Sequence, residues 1–547
     1  MDLPVLDSTC VASHTELSTG TSLKGRAMAW RKKVLTREGW LGDYNYTWLC
    51  TPALPFLNKP RSPPFYGLDV DLPLVLAISC GLQHALAMLA GLITPPIIFA
   101  SALNLDPATS AYMISASLIG CGILSSVQIS RIRIFRNYYL GTGLISVVGT
   151  SFATLSTATA IFDAMYKDGT CPSVTSAAGV VTRKPCPDAY GKVLGTSLIC
   201  AFLEIFMSFL PARVLKLIFP PIVTVLKWYL LIGTVVLMIG ASLIGSSGVL
   251  NWGGGSNGCI NGTPGTYNEL CPTIYAPRPL PWGSPEFIGL GFLSFISIIL
   301  TEIFGSPFLK NISVIIGLVT GCIVAGGTGY IDGSSIKSAP GITFLWVHRF
   351  KIGVYPPAIL PMLAVYVSLA MEAIGDITAS AEVSRVKVQG PEFETRIQGG
   401  VLGDGVSGFF SALFTVTPLS TFAQNNGVIA ITRCANRRAG RWCCFFLILF
   451  GVLGKISGVF LSIPNPVLGG VTTFLFASVA VSGVRVLVKD NNKGLEGLFT
   501  SITIILSTPF LSSGTVAVIL NTVLPVEIAD SKEENDSTDP EALSYSE

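Results

Sequence analysis

Three carboxylic acids interrupt stretches of the sequence that are otherwise apolar. Glu372 follows the mostly apolar run 363–371, Asp376 lies one helical turn further on the same face, and Asp404 lies in a glycine-rich stretch. A charge inside a membrane-spanning helix costs roughly 2.5–3.5 kcal/mol on insertion scales, so each is a functional candidate. With no histidines at metal-ligand spacing nearby, these groups suit proton binding and hydrogen bonding to a polar solute. Asp376 could instead cap a helix end, and Asp404 could be satisfied by backbone donors of the glycine-rich stretch, whereas we assign Glu372 to function.

An amide pair, Gln424 and Asn425, offers a second kind of binding chemistry. Amides carry both donors and acceptors, which is what an uncharged polar solute with donors and acceptors of its own requires. Alternatively, the two amides could only provide hydrogen bonds to the backbone groups of the irregular segment beside them. Phe152 and Phe422 could stack on a planar ring, although most phenylalanines only pack in a core.

A lone histidine, His84, follows Gln83 in the first apolar stretch. In an apolar span, a single histidine more often donates a structural hydrogen bond within the protein than binds a solute or a metal. We therefore place His84 behind the residues that would contact a solute.

Two of the apolar segments have sequences unsuited to a regular helix. Segment 139–165 contains the small and β-branched run 147–154, and segment 413–434 contains Pro418 and Gly427 among many polar residues. Irregular backbone at membrane depth is tolerated only inside protein or beside a wet cavity. One interrupted segment in each half is typical of a transporter built of inverted repeats. The sequence therefore predicts an all-α polytopic membrane protein with short strands in spans three and ten and a 7+7 repeat.

The overall composition requires many membrane spans. Half of the 547 residues are hydrophobic, 12% are charged and the mean hydropathy is +0.62, whereas soluble domains carry about 25% charged residues. No basic run interleaved with aromatics indicates nucleic acid, and no N-terminal signal peptide is visible. The thirteen predicted spans lie near 72–100, 109–129, 139–165, 191–211, 214–246, 286–304, 311–330, 355–373, 397–413, 418–434, 441–462, 464–488 and 497–527.

Positive charges in the loops set the predicted orientation. Arginines and lysines follow the even-numbered spans, as at Arg131 and Arg433, which indicates a cytoplasmic N-terminus. Two loops that would then be extracellular each contain two cysteines, 171 and 186 in one and 259 and 271 in the other. Each pair could form a disulfide or remain as free thiols.

Residues 424–433, with the sequence QNNGVIAITR, resemble the signature of the nucleobase–ascorbate transporter family, an amide pair followed by glycine and then Thr-Arg. The Gln83-His84 pair and the three acids support this resemblance, which covers about residues 40–530 and is closest to the fungal uric acid–xanthine permeases. Segment 42–48 is similar to a cytosolic acidic-tyrosine element tied in those permeases to folding and export.

The resemblance implies a proton-coupled symporter that imports xanthine and uric acid across the plasma membrane. A core domain would carry the substrate against a gate domain in an elevator-type movement, and gate domains would form a homodimer in the lipid bilayer. The coupling ion would be H⁺, and no other cofactor or metal is implied. Substrate contacts would come from Glu372, Gln424, Phe152 and Ala423. Proton coupling or core organisation would involve Asp404, Asp376, His84, Asn425 and Gln83. Selectivity would depend on Phe422, Ser151, Thr508 and Phe510.

The same resemblance divides the chain into six segments. They are a cytoplasmic N-terminal region (1–70), a first core segment (71–211), a first gate segment (212–330), a second core segment (331–440), a second gate segment (441–527) and an acidic tail (528–547).

Two departures from the family pattern keep other functions open. Residues 225–232, including Lys227, intervene where the family runs directly into glycine, and the chain passes from Leu487 to Lys489 without a penultimate span. The count of thirteen spans, where the family has fourteen, leaves the side of the C-terminus undecided. The alternatives are a defective or non-transporting paralogue, or the product of a wrongly spliced gene. An anion exchanger of the same fold is a further alternative, although its site would favour a basic residue.

Overall fold

The computed structural model of the chain is mostly helical. It describes residues 35–42, 44–52, 63–135, 138–175, 181–210, 250–252, 284–331, 333–422 and 424–488, with the backbone alone from 478 onwards. The helices are α1 (Arg37–Leu41), α2 (Tyr46–Cys50), α3 (Leu74–Ala102), α4 (Pro107–Ile129), α5 (Phe152–Lys167), α6 (Pro187–Ser208), α7 (Leu250–Trp252), α8 (Pro285–Phe304), α9 (Pro307–Asn311), α10 (Ser313–Gly327), α11 (Ser334–Ser338), α12 (Ile359–Val383, after a 3-10 turn at Pro356–Ala358), α13 (Pro391–Leu413), α14 (Gln424–Thr432), α15 (Arg437–Val452), α16 (Gly454–Leu461) and α17 (Asn465–Val488). The strands are β1 (Ile132–Phe135), β2 (Tyr138–Leu140), β3 (Val147–Thr150), β4 (Ser173–Thr175), β5 (Val181–Arg183) and β6 (Leu419–Phe422).

Five of these helices are long and apolar enough to cross a membrane: α3, α4, α6, α8 and α12 with its preceding turn. α15 and α16 pass the same test together but are bent by 77° at their junction, so the described residues contain up to six such spans. The single span predicted at 441–462 is this bent pair. The spans predicted at 214–246 and 497–527 lie outside the described residues, so the total of thirteen stays a prediction.

Two predicted spans contain a strand followed by a helix. β3 and β6 pair antiparallel, with Val147 opposite Phe422 and Thr150 opposite Leu419, and both strands are fully buried. β-branched residues fit a pleated strand, and Pro418 lacks the N–H group that a helix interior needs. Lipid cannot form hydrogen bonds with the backbone of a strand, and each of these two strands provides them for its partner. The prediction of short strands in spans three and ten is confirmed.

The helices that follow residue 440 pack against the first apolar helices of the chain. α15 and α16 lie against α3 and α4, and Ser115 and Ser457 share a hydrogen bond of 2.6 Å. A Cβ on Gly122 would lie 2.6 Å from Ile448, so only glycine permits this approach. A separate group forms where α8 packs against α10 and α17. Residues 441–461, which the resemblance assigns to the second gate segment, thus pack against α3 and α4. The division into core and gate segments stays a prediction.

The N-terminal segment packs on the end of α14. The Tyr44 hydroxyl donates to the backbone carbonyl of Thr432 at 3.2 Å, and Tyr66 forms an isolated bridge with Cys434. The tyrosines at 44 and 46 are in edge contact at 5.1 Å. The acidic-tyrosine element therefore contacts the signature segment, although its Asp43 lies outside the described residues.

One of the two cysteine pairs is a disulfide. Cys171 and Cys186 are joined in the loop between α5 and α6. Cys259 and Cys271 lie outside the described residues, as do the insertion at 225–232 and the acidic tail.

Candidate functional site

Asp404 connects α13 to the central strand pair. Thr421 donates to its Oδ1 from the backbone N–H at 2.6 Å and from the hydroxyl at 2.7 Å, and the Ser420 hydroxyl donates to Oδ2 at 3.0 Å. The side chain is fully buried. Its donors therefore come from β6, and not from the glycine-rich stretch, which was the alternative expected from the sequence. Asp404 therefore connects α13 to β6 through three hydrogen bonds.

The two strands lead directly into two helices. α5 begins at Phe152 after Ser151, which accepts a hydrogen bond from the N–H of Thr154 at 3.1 Å and caps the helix. α14 begins at Gln424 after β6. Because the strands are antiparallel, the helix N-termini lie at opposite ends of the strand pair. Helix N-termini have unpaired N–H groups and a partial positive charge, which favour acceptor groups on a solute.

Phe152 and Phe422 lie together beside the strands. Their rings are stacked with centroids 5.7 Å apart. Phe422 is 6% exposed and fills a notch between Gly91 and Gly149, where an added Cβ would lie 2.9 Å and 2.8 Å from its ring. Phe152 is only half-buried and also contacts Phe476 on α17, edge to face at 5.4 Å. Phe422 is therefore fully packed, whereas Phe152 keeps part of its side chain exposed.

Glu372 and Gln424 keep their polar groups available. Glu372 is exposed and Gln424 is half-buried, and neither forms a side-chain hydrogen bond with another described residue. Their helices are neighbours, because α12 contacts both β6 and α14. A carboxyl and an amide without hydrogen-bond partners in the described chain, next to a strand pair, suit the binding of a polar ring.

Asp376 lies behind this pair on α12. It is half-buried, and its backbone carbonyl accepts a hydrogen bond of 3.5 Å from Asn426. The Ser380 hydroxyl donates to Asn426 Oδ1 at 2.6 Å. The alternative role of Asp376 as a helix cap is wrong, because α12 continues to Val383.

His84 and Asn425 form the buried support of α14. His84 Nδ1 and Asn425 Oδ1 are 2.8 Å apart, and the Asn425 amide donates to Met88 Sδ at 3.0 Å. His84 Nε2 is buried without a hydrogen-bond partner among the described residues. Next to it, Gln83 Oε1 accepts a hydrogen bond from Asn311 at 2.7 Å. His84 thus contacts Asn425 of the amide pair, and its role behind the solute contacts stays a prediction.

Sequence reasoning missed several residues that the fold brings to this region. Glu204 on α6 is 1% exposed, and its carboxyl lies next to that of Asp404. Gln128 donates to the Gly400 carbonyl at 3.0 Å and to the Thr421 hydroxyl at 3.3 Å. Glu204 could have been recognised as a candidate from the sequence, because it is an acid within an apolar stretch. The sequence held no comparable signal for Gln128 or Asn311.

Three of the predicted site residues lie outside the described residues. They are Ala423, Thr508 and Phe510. The described site therefore consists of the strand pair, two helix N-termini, the half-buried Phe152 and the unpartnered Glu372 and Gln424. Such a site can hold a flat molecule with several donors and acceptors.

Comparisons with known proteins relate the chain to transporters. A model described as "Permease family" matches residues 76–511. The chain is 48% identical to the purine permease of the fungus Emericella nidulans, over 92% of each chain. It is 46% identical to the uric acid-xanthine permease of the same fungus, over 93% of this chain and 92% of that protein. Among solved structures, that of SLC26A9 superimposes with a TM-score of 0.51 at 12% identity, covering 82% of this chain and 65% of that chain, which shows a similar fold.

Proposed function

The chain belongs to the permease family, and we propose that it is a symporter that imports xanthine and uric acid together with protons. The chain is a multi-pass membrane transporter rather than an enzyme, because its relatives are permeases and its described helices include several long apolar spans. Two fungal relatives near 50% identity are a purine permease and a uric acid-xanthine permease. We therefore assign oxidised purines as the substrate class.

The observation that carries this proposal is the pair of unpartnered polar groups, Glu372 and Gln424, beside the strand pair. A purine such as xanthine presents N–H donors and carbonyl acceptors around a flat ring. The Glu372 carboxylate would accept from a ring N–H, and the Gln424 amide would donate to a carbonyl while accepting from a neighbouring N–H. Phe152 would contribute a backbone contact and its ring, and Ala423 would also bind the substrate.

The remaining site residues would support the binding residues or select among substrates. Asn425 and His84 would hold α14, with Gln83 beside them, and Asp404 and Asp376 would connect the site to proton binding. Phe422 and Ser151 would shape the site, and we propose that Thr508 and Phe510 filter substrates on the way to it. The only coupling ion would be H⁺.

Elevator-type movement is the mechanism we propose for carrying this site across the membrane. A carrier unit would contain the strand pair with α3–α6 and α12–α16, and α8–α10 and α17 would belong to the unit it slides against. This division is supported by the packing, because α8 lies against α10 and α17 more extensively than α10 or α17 lies against α3. Phe152 with Phe476 and Gln83 with Asn311 are two of the described contacts between the groups. We place the protein in the plasma membrane, with a cytoplasmic N-terminus, as a homodimer surrounded by lipid.

Uptake by purine-transporter-deficient fungal cells that express this chain tests the proposed function. We expect saturable uptake of radiolabelled xanthine that unlabelled uric acid competes with and that a proton uncoupler abolishes. Sulfate and bicarbonate in excess serve as the control for an anion exchanger and should not compete. Surface labelling must accompany the assay, because absence of uptake by a chain that reaches the plasma membrane would contradict the proposal.

A further inference from the structure

Glu204 is a buried acid that the proposed mechanism has not used. It lies on α6, which packs against α13 and α12, and its side chain is 1% exposed. A Cβ on Gly405, the residue after Asp404, would lie 3.2 Å from Glu204 Cγ, so the two helices meet at this acid. Its Oε1 has no hydrogen-bond partner in the described part of the chain. A buried carboxyl is seldom left in this state without a function.

The groups that face Glu204 are acidic. From α13, the Asp404 carboxyl lies close to Glu204 and interacts with it electrostatically, because the residue after Asp404 packs against Glu204 Cγ. From α12, Glu372 and Tyr366 are near enough to interact with it electrostatically, and the Tyr366 hydroxyl is 2.7 Å from that of Ser197. No basic side chain is among these described neighbours. Two adjacent buried carboxylates without a cation would repel each other strongly. The pair must therefore hold at least one proton while both side chains are buried.

The hydrogen bonds decide which acid carries this proton. Asp404 accepts three hydrogen bonds from Ser420 and Thr421, and such donors stabilise the ionised form. Glu204 has an oxygen without a partner among the described residues and no comparable set of donors. The neutral acid is therefore Glu204, and its O–H can donate to the Asp404 carboxylate.

We propose that Glu204 and Asp404 together form the proton-binding site of the transporter, with Glu204 as the residue that takes up and releases the coupled proton. This inference rests on the proposed function. A proton that enters from outside would neutralise Glu204 and relieve its repulsion with Asp404, which lets Asp404 hold β6 and so position Gln424. Loss of the proton to the inside would restore the repulsion and loosen β6. Proton and substrate binding would thus be coupled through one strand.

Proteoliposomes containing the purified full chain test this role with two assays. The first measures accumulation of radiolabelled xanthine driven by an inward proton gradient, and the second measures exchange of labelled for unlabelled xanthine without a gradient. Glu204→Gln keeps the shape of the side chain but cannot release a proton. Glu286→Gln, an exposed acid in the first turn of α8, is the matched control.

For Glu204→Gln we expect exchange to persist while gradient-driven accumulation falls about tenfold and its dependence on external pH disappears. Accumulation with the wild-type pH profile would overturn the inference. So would loss of both activities in a folded variant, because Glu204 would then be a packing residue. If Glu204→Gln does not fold, Glu204→Asp must shift the pH midpoint of uptake, and an unchanged midpoint contradicts the proposal. Absence of both activities in the wild-type chain would instead contradict the proposed function.

Discussion

Asn311 donates a hydrogen bond of 2.7 Å to Oε1 of Gln83, and this contact joins two groups of helices. Gln83 lies on α3 next to His84, which supports α14, whereas Asn311 ends the short helix α9 between α8 and α10. Both side chains are buried, at 0% and 8% exposure. In the proposed elevator the two groups move past each other, so this contact can exist in only some states of the transport cycle.

Removal of this hydrogen bond should change the balance between transport states. Asn311→Ala leaves Gln83 Oε1 buried without a donor, which typically costs about 1–3 kcal/mol in the state that has the contact. We expect the apparent affinity for xanthine to change about tenfold in cells, with the protein still at the surface. Uptake of radiolabelled xanthine over a range of concentrations measures this apparent affinity.

A double-mutant cycle is the control for this prediction. Gln83→Ala alone and together with Asn311→Ala should give effects that do not add, because each variant removes the same contact. Additive effects would show that the contact does not contribute to the transport cycle.

Gly149 should tolerate no side chain, because the Phe422 ring occupies the space. A Cβ at this position would lie 2.8 Å from the ring, and crowding of this kind typically costs about 1–3 kcal/mol. Gly149→Ala should therefore displace Phe422 towards Phe152 and lower xanthine uptake by about tenfold. Gly289→Ala on α8 is the matched control, since nothing lies within 4 Å of its added Cβ. Equal uptake by the two variants would contradict the placement of Phe422.

An exposed hydrogen bond connects the end of α5 to the residue before the turn that leads into α12. The Tyr355 hydroxyl donates to Asp168, and this bond lowers the pKa of the Asp168 carboxyl below its ordinary value. A depressed pKa in the folded state stabilises the protein above the unfolded pKa of about 3.9, and this contribution is lost as the pH falls through the folded value.

Tyr355→Phe should therefore lower the melting temperature at pH 6 and have less effect as the pH approaches 3. Thermal unfolding of the purified protein in detergent, followed by size-exclusion fluorescence, measures this difference. Asp168→Asn should behave similarly, and the double variant should be no less stable than the less stable single variant. A Tyr355→Phe effect that is the same at every pH would show that the hydroxyl acts without the carboxylate.

Local sequence rules predicted the central elements of this fold well. Pro418 and the β-branched run from Val147 indicated interrupted spans, and β3 and β6 lie there because proline and branched side chains restrict the backbone locally. The amide pair at Gln424 and the acids at Glu372 and Asp404 were found because polar groups in apolar stretches are conspicuous.

Long-range contacts could not be predicted in the same way. The pairing of Asn311 with Gln83, and of Glu204 with Asp404, depends on helix packing between segments far apart in the chain. The packing of residues 441–461 against α4 was likewise not predictable, because loop charges report membrane sidedness and not packing partners.

Uptake by proteoliposomes that contain the purified wild-type chain or its Gln424→Ala variant tests the central claim most directly. An inward proton gradient should drive accumulation of radiolabelled xanthine by the wild-type chain. The variant, which lacks the amide that would bind the purine, should accumulate at least about tenfold less while folding as well as the wild type. Accumulation that is equal for the two proteins would contradict the assigned site, and no gradient-driven accumulation by a folded wild-type chain would contradict proton-coupled purine transport.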